Sequence, residues 1–176
     1  MPLIEPLIQI TIATGLALLF AVAVIHKIRD WEHFRTTLAN YRLAPAVMTP
    51  ALAAVIVLVE AIIVIGCIAT ASRGTAVLLA SALLLVYAAA MATNLLRGRA
   101  MVDCGCGGFG QRQPLEWWMV RRNVLLAVIG ALAALPVIPR PLTLADLFVV
   151  TCATASVVGL YLAHATLAGN RRHARR

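Results

Sequence analysis

Two cysteines separated by a single residue carry the chemistry that this sequence offers. Cys104 and Cys106 lie in residues 103–110, which read Asp-Cys-Gly-Cys-Gly-Gly-Phe-Gly. Gly105 tolerates backbone conformations that other residues avoid, so the two sulfurs can meet or bind one soft ion together. A disulfide across one residue closes a very small ring, which favours an easily reduced bond. The pattern predicts thiol-disulfide exchange through a mixed disulfide, with Cys104 and Cys106 as the catalytic residues.

Charged neighbours of the cysteines fit this chemistry. Asp103, beside Cys104, is placed to accept or relay the proton that a thiol releases, so we treat it as a supporting residue. Nearby cations favour the reactive thiolate. These cations are Arg97, Arg99 and Arg112.

Other interpretations of the cysteine pair remain open at this point. The two residues can be incidental, or they can form half of a zinc site. Structural zinc needs four ligands, and the remaining cysteines, Cys67 and Cys152, lie in apolar segments, so we expect no complete metal site within one chain. A two-coordinate Cu(I) site is the metal alternative, because soft thiolates select that ion.

The composition identifies the class of protein that holds this loop. Hydrophobic residues make up 62% of the chain and charged residues 12%, and the mean hydropathy is +0.92. Soluble domains have about 45–50% and about 25%, respectively. We therefore predict an all-α fold, a polytopic membrane bundle of four to five transmembrane helices, with lipid as its surroundings. The net charge of +8 is interpreted as a topology signal and not as a nucleic-acid surface.

The apolar runs predict a single integral-membrane domain over residues 1–170 with a basic tail at 171–176. The cysteines fall in a loop at 97–122. Each run has the length of a membrane span or slightly less. The predicted spans cover residues 6–25, 46–71, 75–96, 123–138 and 142–167.

Basic residues predict the orientation of these spans. All but two of the lysines and arginines lie in the first loop, the cysteine loop and the tail. The positive-inside rule then places the cysteine loop in the cytoplasm. Oxidation of thiols by membrane proteins usually serves extracytoplasmic substrates, so a re-entrant fourth run, which would change the parity, is the alternative.

Two charged residues stand inside or beside the apolar runs. Glu60 lies near the middle of the second run, where an ionised carboxylate costs on the order of 3 kcal/mol. It must therefore be protonated, paired or functional, and we assign it a catalytic role in proton handling, the alternative being a neutral hydrogen-bonding acid. Lys27 lies near the end of the first run and is either a supporting residue or a snorkelling side chain. Arg122 and Asn123, at the start of the fourth run, are supporting residues that orient the loop or simply mark the interface.

The order of these residues resembles the MauE family of methylamine utilisation proteins and, more distantly, the DoxX group of small membrane bundles. The resemblance covers roughly residues 10–135. It rests on Lys27, residues 41–45, Glu60, the Cys-Gly-Cys unit with Phe109-Gly110, and Arg122-Asn123. Here two glycines stand between the second cysteine and the phenylalanine, where the family pattern has them closer.

The resemblance implies an inner-membrane accessory protein that acts with a thioredoxin-like partner. Its implied client is an exported disulfide-containing protein, such as the small subunit of methylamine dehydrogenase. A membrane quinone is a candidate cofactor for the electrons. The rival functions are a non-catalytic chaperone or export helper with structural cysteines, and a protein that handles Cu(I).

Overall fold

A computed structural model describes residues 4–102 and 114–173 of the chain, with side chains described as far as residue 159. Within these ranges the chain is mainly helical, and an isolated β-bridge joins Ile4 and Val137. The helices are α1 (Pro6–Arg29), α2 (Trp31–Asn40), α3 (Thr49–Ile68), α4 (Arg73–Leu96), α5 (Trp117–Ala133) and α6 (Leu144–His173), with a short 3₁₀ turn at Ala46–Met48.

Three helical segments in the described part are long and apolar enough to cross a membrane. They are Pro6–Arg29, Ala46–Ile68 and Arg73–Leu96. At about 1.5 Å per residue, a helix of 24 residues reaches about 36 Å, more than the roughly 30 Å of a bilayer core. The predicted all-α membrane bundle is confirmed. The count of four to five spans stays a prediction, because α5 has only 17 residues.

Local signals start the first two helices and separate them. The Glu5 carboxylate accepts a hydrogen bond from the Leu7 N–H at 2.7 Å, and Pro6 opens α1 without an N–H to satisfy. Asp30 ends α1 and begins α2. In α2 the buried residues are Phe34 and Thr37, so this short helix lies with one face against the bundle.

Small residues set how closely the long helices pack. A Cβ on Gly130 of α5 would lie 2.4 Å from the Ser81 Oγ of α4, and one on Gly66 of α3 would lie 2.7 Å from the Ala76 Cβ of α4. Helices in lipid associate through this kind of close backbone approach. The hydrophobic core, which includes Phe20 and Ile63, lies between α1, α3, α4 and α5.

The bundle has two distinct ends. At the first, which we call the loop end, Arg99 at the end of α4 donates a hydrogen bond to the Asn40 carbonyl of α2 at 3.1 Å. At the opposite end, the Ile4 N–H donates to the Pro136 carbonyl at 3.0 Å and the Gln9 side chain donates to the Ala133 carbonyl at 2.9 Å. The cysteine loop leaves and re-enters the described chain at the loop end, because α4 finishes there and α5 begins there.

Candidate functional site

Lys27 and Glu60, the two charged residues in or beside the apolar runs, form a buried ion pair. The Lys27 ammonium, in the last turns of α1, contacts the Glu60 carboxylate in the middle of α3. Lys27 is 7% exposed and Glu60 is fully buried. Each charge removes much of the cost of the other in a medium without water. Lys27 therefore turns inward and does not snorkel, and Glu60 is paired.

Tyr87 of α4 completes the cluster, which we call the Lys27–Glu60–Tyr87 triad. Its hydroxyl donates to Glu60 Oε1 at 2.7 Å and accepts from Lys27 Nζ at 3.3 Å. The Lys27 ammonium also stands 5.2 Å from the ring centroids of Phe34 and Tyr87, within the range of cation–π attraction. The triad thus connects α1, α3 and α4, and α2 covers it with an aromatic ring.

One oxygen of the triad lacks a protein partner. Glu60 Oε2 is buried and accepts no hydrogen bond from the part of the chain that the structure describes. A buried acceptor without a donor costs about 1–3 kcal/mol, and functional sites are where such groups persist. This oxygen is available to a proton or to a small donor.

An apolar cavity of about 280 Å³ adjoins the triad. Lys27 and Tyr87 lie at its polar part, and the rest of its wall is almost entirely apolar. The other lining residues come from α2, the turn after it, α3 and α4: Phe34, Thr37, Leu38, Tyr41, Leu43, Leu52, Ile56, Leu83, Val86, Ala90 and Met91.

The base of the cysteine loop is held close to α2. Gly98, with φ of 71°, takes the left-handed conformation that ends α4. The Leu115 N–H, after the loop, donates to the Ala100 carbonyl before it at 2.8 Å. Arg99 ties this base to the end of α2 at Asn40. The two ends of the loop are therefore held together over one helix terminus.

The same base rests on a small hydrophobic cluster that reaches the cavity. Tyr41, Met91, Leu115 and Met119 are buried together there. Tyr41 and Met91 also line the cavity. The residues beneath the loop and the wall of the cavity are therefore continuous.

Comparison with known proteins identifies the family. The sequence model of the family described as "Methylamine utilisation protein MauE" matches residues 5–136, which is most of the chain. The chain belongs to the MauE family.

Curated MauE proteins resemble the chain over nearly its full length. The Paracoccus denitrificans protein is 38% identical over 170 residues, covering 95% of this chain and 90% of its own. The Paracoccus versutus protein is 38% identical over 167 residues, covering 94% and 89%. The Methylorubrum extorquens protein is 34% identical over 139 residues, covering 78% and 75%. No solved structure gives a significant match.

Two supporting residues of this MauE-family chain lie in the first turns of α5, at the loop end. The Arg122 guanidinium stands 5.3 Å from the Trp118 ring centroid, and Asn123 is 2% exposed. The Nε atom of Arg122 is buried and has no partner among residues 4–102 and 114–159. The structure groups these two residues with the loop base and not with the triad, and their predicted role in orienting the loop stays a prediction.

Asn94 also lies at this end, in the last turn of α4. It is fully buried, and its Nδ2 donates to the Ala90 carbonyl at 3.2 Å. Its backbone carbonyl accepts from the Arg99 N–H at 2.9 Å. Asn94 thus helps to fix the chain that leads into the loop.

Three predicted site residues, Asp103, Cys104 and Cys106, lie outside the described residues, so their roles stay predictions. The other cysteines are a buried Cys67 in α3 and an exposed Cys152 in α6. The described part of the chain contains no cluster of three or more metal-binding side chains.

Sequence reasoning missed Tyr87 and the cavity. Tyr87 is a phenol in the middle of an apolar run, and that position was a usable signal, because a buried tyrosine hydroxyl needs a partner. The cavity had no such signal. Its wall combines residues from four separated segments, and their meeting depends on how α2 folds back onto α3 and α4.

Proposed function

We propose that this MauE-family chain is a membrane thiol-disulfide redox protein that supports the maturation of an exported disulfide-containing protein. Cys104 and Cys106 alternate between dithiol and disulfide, one attacking and the other resolving. A thioredoxin-like protein exchanges electrons with them. The client most consistent with the relatives' description as methylamine utilisation proteins is the small subunit of methylamine dehydrogenase.

The observation that carries this proposal is the arrangement of the residues that flank the two cysteines. They are joined by the hydrogen bond from Leu115 to Ala100 and are tied to α2 through Arg99. A cysteine pair that must meet other proteins needs a rigid base of this kind. The buried Asn94 supports the same purpose on the side of α4.

The triad supplies the second support. Thiol oxidation releases protons as well as electrons, and a membrane protein must hold or transfer them in a region without water. Glu60, with one bonded and one unbonded oxygen, is suited to accept a proton, and Lys27 and Tyr87 are suited to keep its charge tolerable. In this proposal Glu60 handles protons, and Arg122 and Asn123 orient the loop.

The localisation that fits this function is a bacterial inner membrane. The distribution of arginine predicts the loop in the cytoplasm, whereas an exported client predicts it in the periplasm. The proposed function requires the second orientation for direct contact with the client. The experiment below measures the side together with the redox state.

The test is a gel-shift assay in intact cells with a maleimide that cannot cross the inner membrane. The wild-type chain is compared with Cys104→Ala and Cys106→Ala, before and after mild reduction. We expect the wild-type loop to be labelled only after reduction, because the two sulfurs are joined. Each single variant should be labelled without reduction, because it retains one free thiol.

Cys152→Ala is the matched control, since it removes an exposed cysteine outside the loop. It should leave the reduction-dependent label unchanged. If the loop cysteines of the wild type are free thiols under all conditions, the redox proposal is wrong. Labelling in permeabilised cells alone would put the loop in the cytoplasm and exclude direct contact with an exported client.

A further inference from the structure

The cavity beside the triad has the size of a binding site for one small ring. Its volume is about 280 Å³, close to the lower end of the roughly 300–1,000 Å³ typical of small-molecule pockets. Aromatic side chains of Phe34, Tyr41 and Tyr87 line it. A flat ring can stack on such surfaces.

The polar part of the cavity offers a hydrogen-bond donor. Lys27 Nζ has three N–H groups, and its bonds to Glu60 and to the Tyr87 hydroxyl use two of them. Because Glu60 balances the charge of Lys27, a free anion gains little here. A neutral ligand with a carbonyl oxygen is the better match for the remaining N–H.

One wall of the cavity faces the bilayer. Val86 of α4, which lines it, is 60% exposed, and the exposed surface of a membrane-spanning helix faces lipid. A ligand that is dissolved in the membrane can therefore enter sideways and leave an apolar tail outside.

The cavity also lies next to the base of the cysteine loop. Tyr41 and Met91 belong both to its wall and to the cluster beneath the loop. Thr37 lines the cavity and also a more polar cleft that Val102 lines from the other side. Along the chain, Val102 is two residues before Cys104.

We propose that this cavity binds the headgroup of a membrane quinone, with one ring oxygen accepting a hydrogen bond from Lys27 and the isoprenoid tail in the bilayer. An acyl chain of a lipid would fill the apolar part but would leave that donor unused. The quinone satisfies both parts, since it has a flat ring and carbonyl acceptors.

The role of the quinone rests on the proposed function and completes its electron balance. Cys104 and Cys106 lose two electrons and two protons as the two S–H bonds break and the S–S bond forms. The quinone gains the two electrons and two protons, forms two O–H bonds and becomes a hydroquinone. The Lys27 cation stabilises the negative charge that develops on the ring oxygen as electrons arrive.

The binding test uses the detergent-purified full chain and decylubiquinone, followed by quenching of tryptophan fluorescence. Trp31 reports on the site, because its ring centroid lies 6.3 Å from that of Phe34. Ala90→Leu adds bulk inside the cavity, and Ala89→Leu adds the same bulk on the exposed side of the same helix turn. We expect saturable quenching in the wild type and in Ala89→Leu, and a Kd increased by about tenfold or more in Ala90→Leu.

Further measurements distinguish a quinone from an apolar chain as the ligand of the cavity. Ile56→Phe fills the cavity from α3 and should weaken binding as Ala90→Leu does, which guards against misfolding of one variant. Decylbenzene, which has the ring and tail but no oxygen, should compete poorly. If it competes as well as decylubiquinone, the site takes an apolar chain and the quinone proposal is wrong. Equal affinity of Ala89→Leu and Ala90→Leu for decylubiquinone would also overturn the proposal.

A second measurement separates this proposal from the proposed function. The Cys104→Ala and Cys106→Ala variants should bind decylubiquinone normally, since the proposed hydrogen bond to the ring oxygen comes from Lys27 and the described wall keeps its side chains. Reduced wild-type protein should form one hydroquinone per pair of thiols, and these variants should form none. Binding without hydroquinone formation would uphold the site and overturn the electron transfer. A failed gel shift with normal binding would overturn the proposed function alone.

Discussion

Two networks of charged side chains hold the two halves of this molecule, and they differ in the solvent that surrounds them. The Lys27–Glu60–Tyr87 triad is buried among α1, α3 and α4. At the opposite end, Arg140 joins Glu5 and Asp146, with side chains 32%, 37% and 13% exposed. We call this second network the Arg140 clamp. The comparison shows that the energetic weight of an ion pair depends on its access to water: removal of one partner costs much more in the buried pair than in the exposed one.

The hydrogen bonds of the Arg140 clamp are well formed, but its side chains are partly exposed to solvent. Arg140 Nε donates to Glu5 at 2.6 Å, and its two terminal nitrogens donate to Asp146 at 2.8 and 3.0 Å. The Thr143 N–H also donates to Asp146, at 2.7 Å. The clamp ties the start of α1 to the start of α6, and water and salt can screen it. The triad, by contrast, borders the apolar cavity.

The largest predicted effect is that of Lys27→Met, which leaves the Glu60 charge buried without its partner. We expect a loss of about 3–5 kcal/mol in the free energy of unfolding. Thermal unfolding in detergent checks this value. The double variant Lys27→Met/Glu60→Gln should recover much of the loss, because no charge then remains. A double variant as unstable as the single one would show that the pair's charge is not what stabilises the helices.

Tyr87→Phe should have an intermediate effect. It removes the hydroxyl that donates to Glu60 but keeps the ring that faces the Lys27 ammonium. We expect a loss of about 1–2 kcal/mol, since a hydrogen bond to a charged group is removed. Denaturation under the same conditions measures it. The matched control is Thr93→Val, which removes from α4 a hydroxyl that donates to the Ala89 carbonyl of the same helix. Equal losses in both variants would contradict a specific role of Tyr87 in the triad.

Arg140→Gln should have a small effect that depends on salt. We expect Tm to fall by about 2 °C at low ionic strength and by less at high ionic strength, because salt screens exposed pairs. The effect of Lys27→Met should change little with salt, because that pair is buried. A comparison of Tm at two salt concentrations checks both statements. If the Tm change caused by Lys27→Met depends strongly on salt, water reaches the triad.

The smallest effect concerns pH and the Arg140 clamp. The Arg140 guanidinium, and then the Thr143 N–H, hold the pKa of Asp146 well below its usual range. The stabilisation from this lowered pKa is fully present above the unfolded value of about 4. It is lost as the pH falls from there through the lower folded pKa. The Tm difference between wild type and Asp146→Asn should therefore stay constant from neutral pH to about pH 4 and narrow below it.

Sequence reasoning reached the charged residues of the triad but not the arrangement that explains them. An acid at position 60 inside an apolar run required a partner, protonation or a function. Lys27 remained ambiguous, because a lysine near a helix end can snorkel. They are 33 positions apart, and the sequence between them gave no pattern that pairs the two. The contact exists because α1 and α3 pack side by side with these positions at one depth.

The partners of Arg140 also could not be predicted from the sequence. In the sequence, Arg140 is one of the two basic residues outside the first loop, the cysteine loop and the tail. Its partner Glu5 is 135 residues away, and Asp146 is a common type of residue for the first turn of a helix. Only the parallel bridge between Ile4 and Val137 brings Glu5 to this loop.

The sequence by itself determined the class of protein and the family, and it predicted a chemistry for the Cys-Gly-Cys unit. Composition and apolar runs are local properties, and a motif can be recognised without knowing the fold. Only the tertiary structure decided that Lys27 meets Glu60 and Tyr87, that a cavity lies beside them, and that its wall continues beneath the cysteine loop. Those features join residues far apart in the chain, and their meeting depends on how closely small residues such as Gly66 and Gly130 let the helices pack.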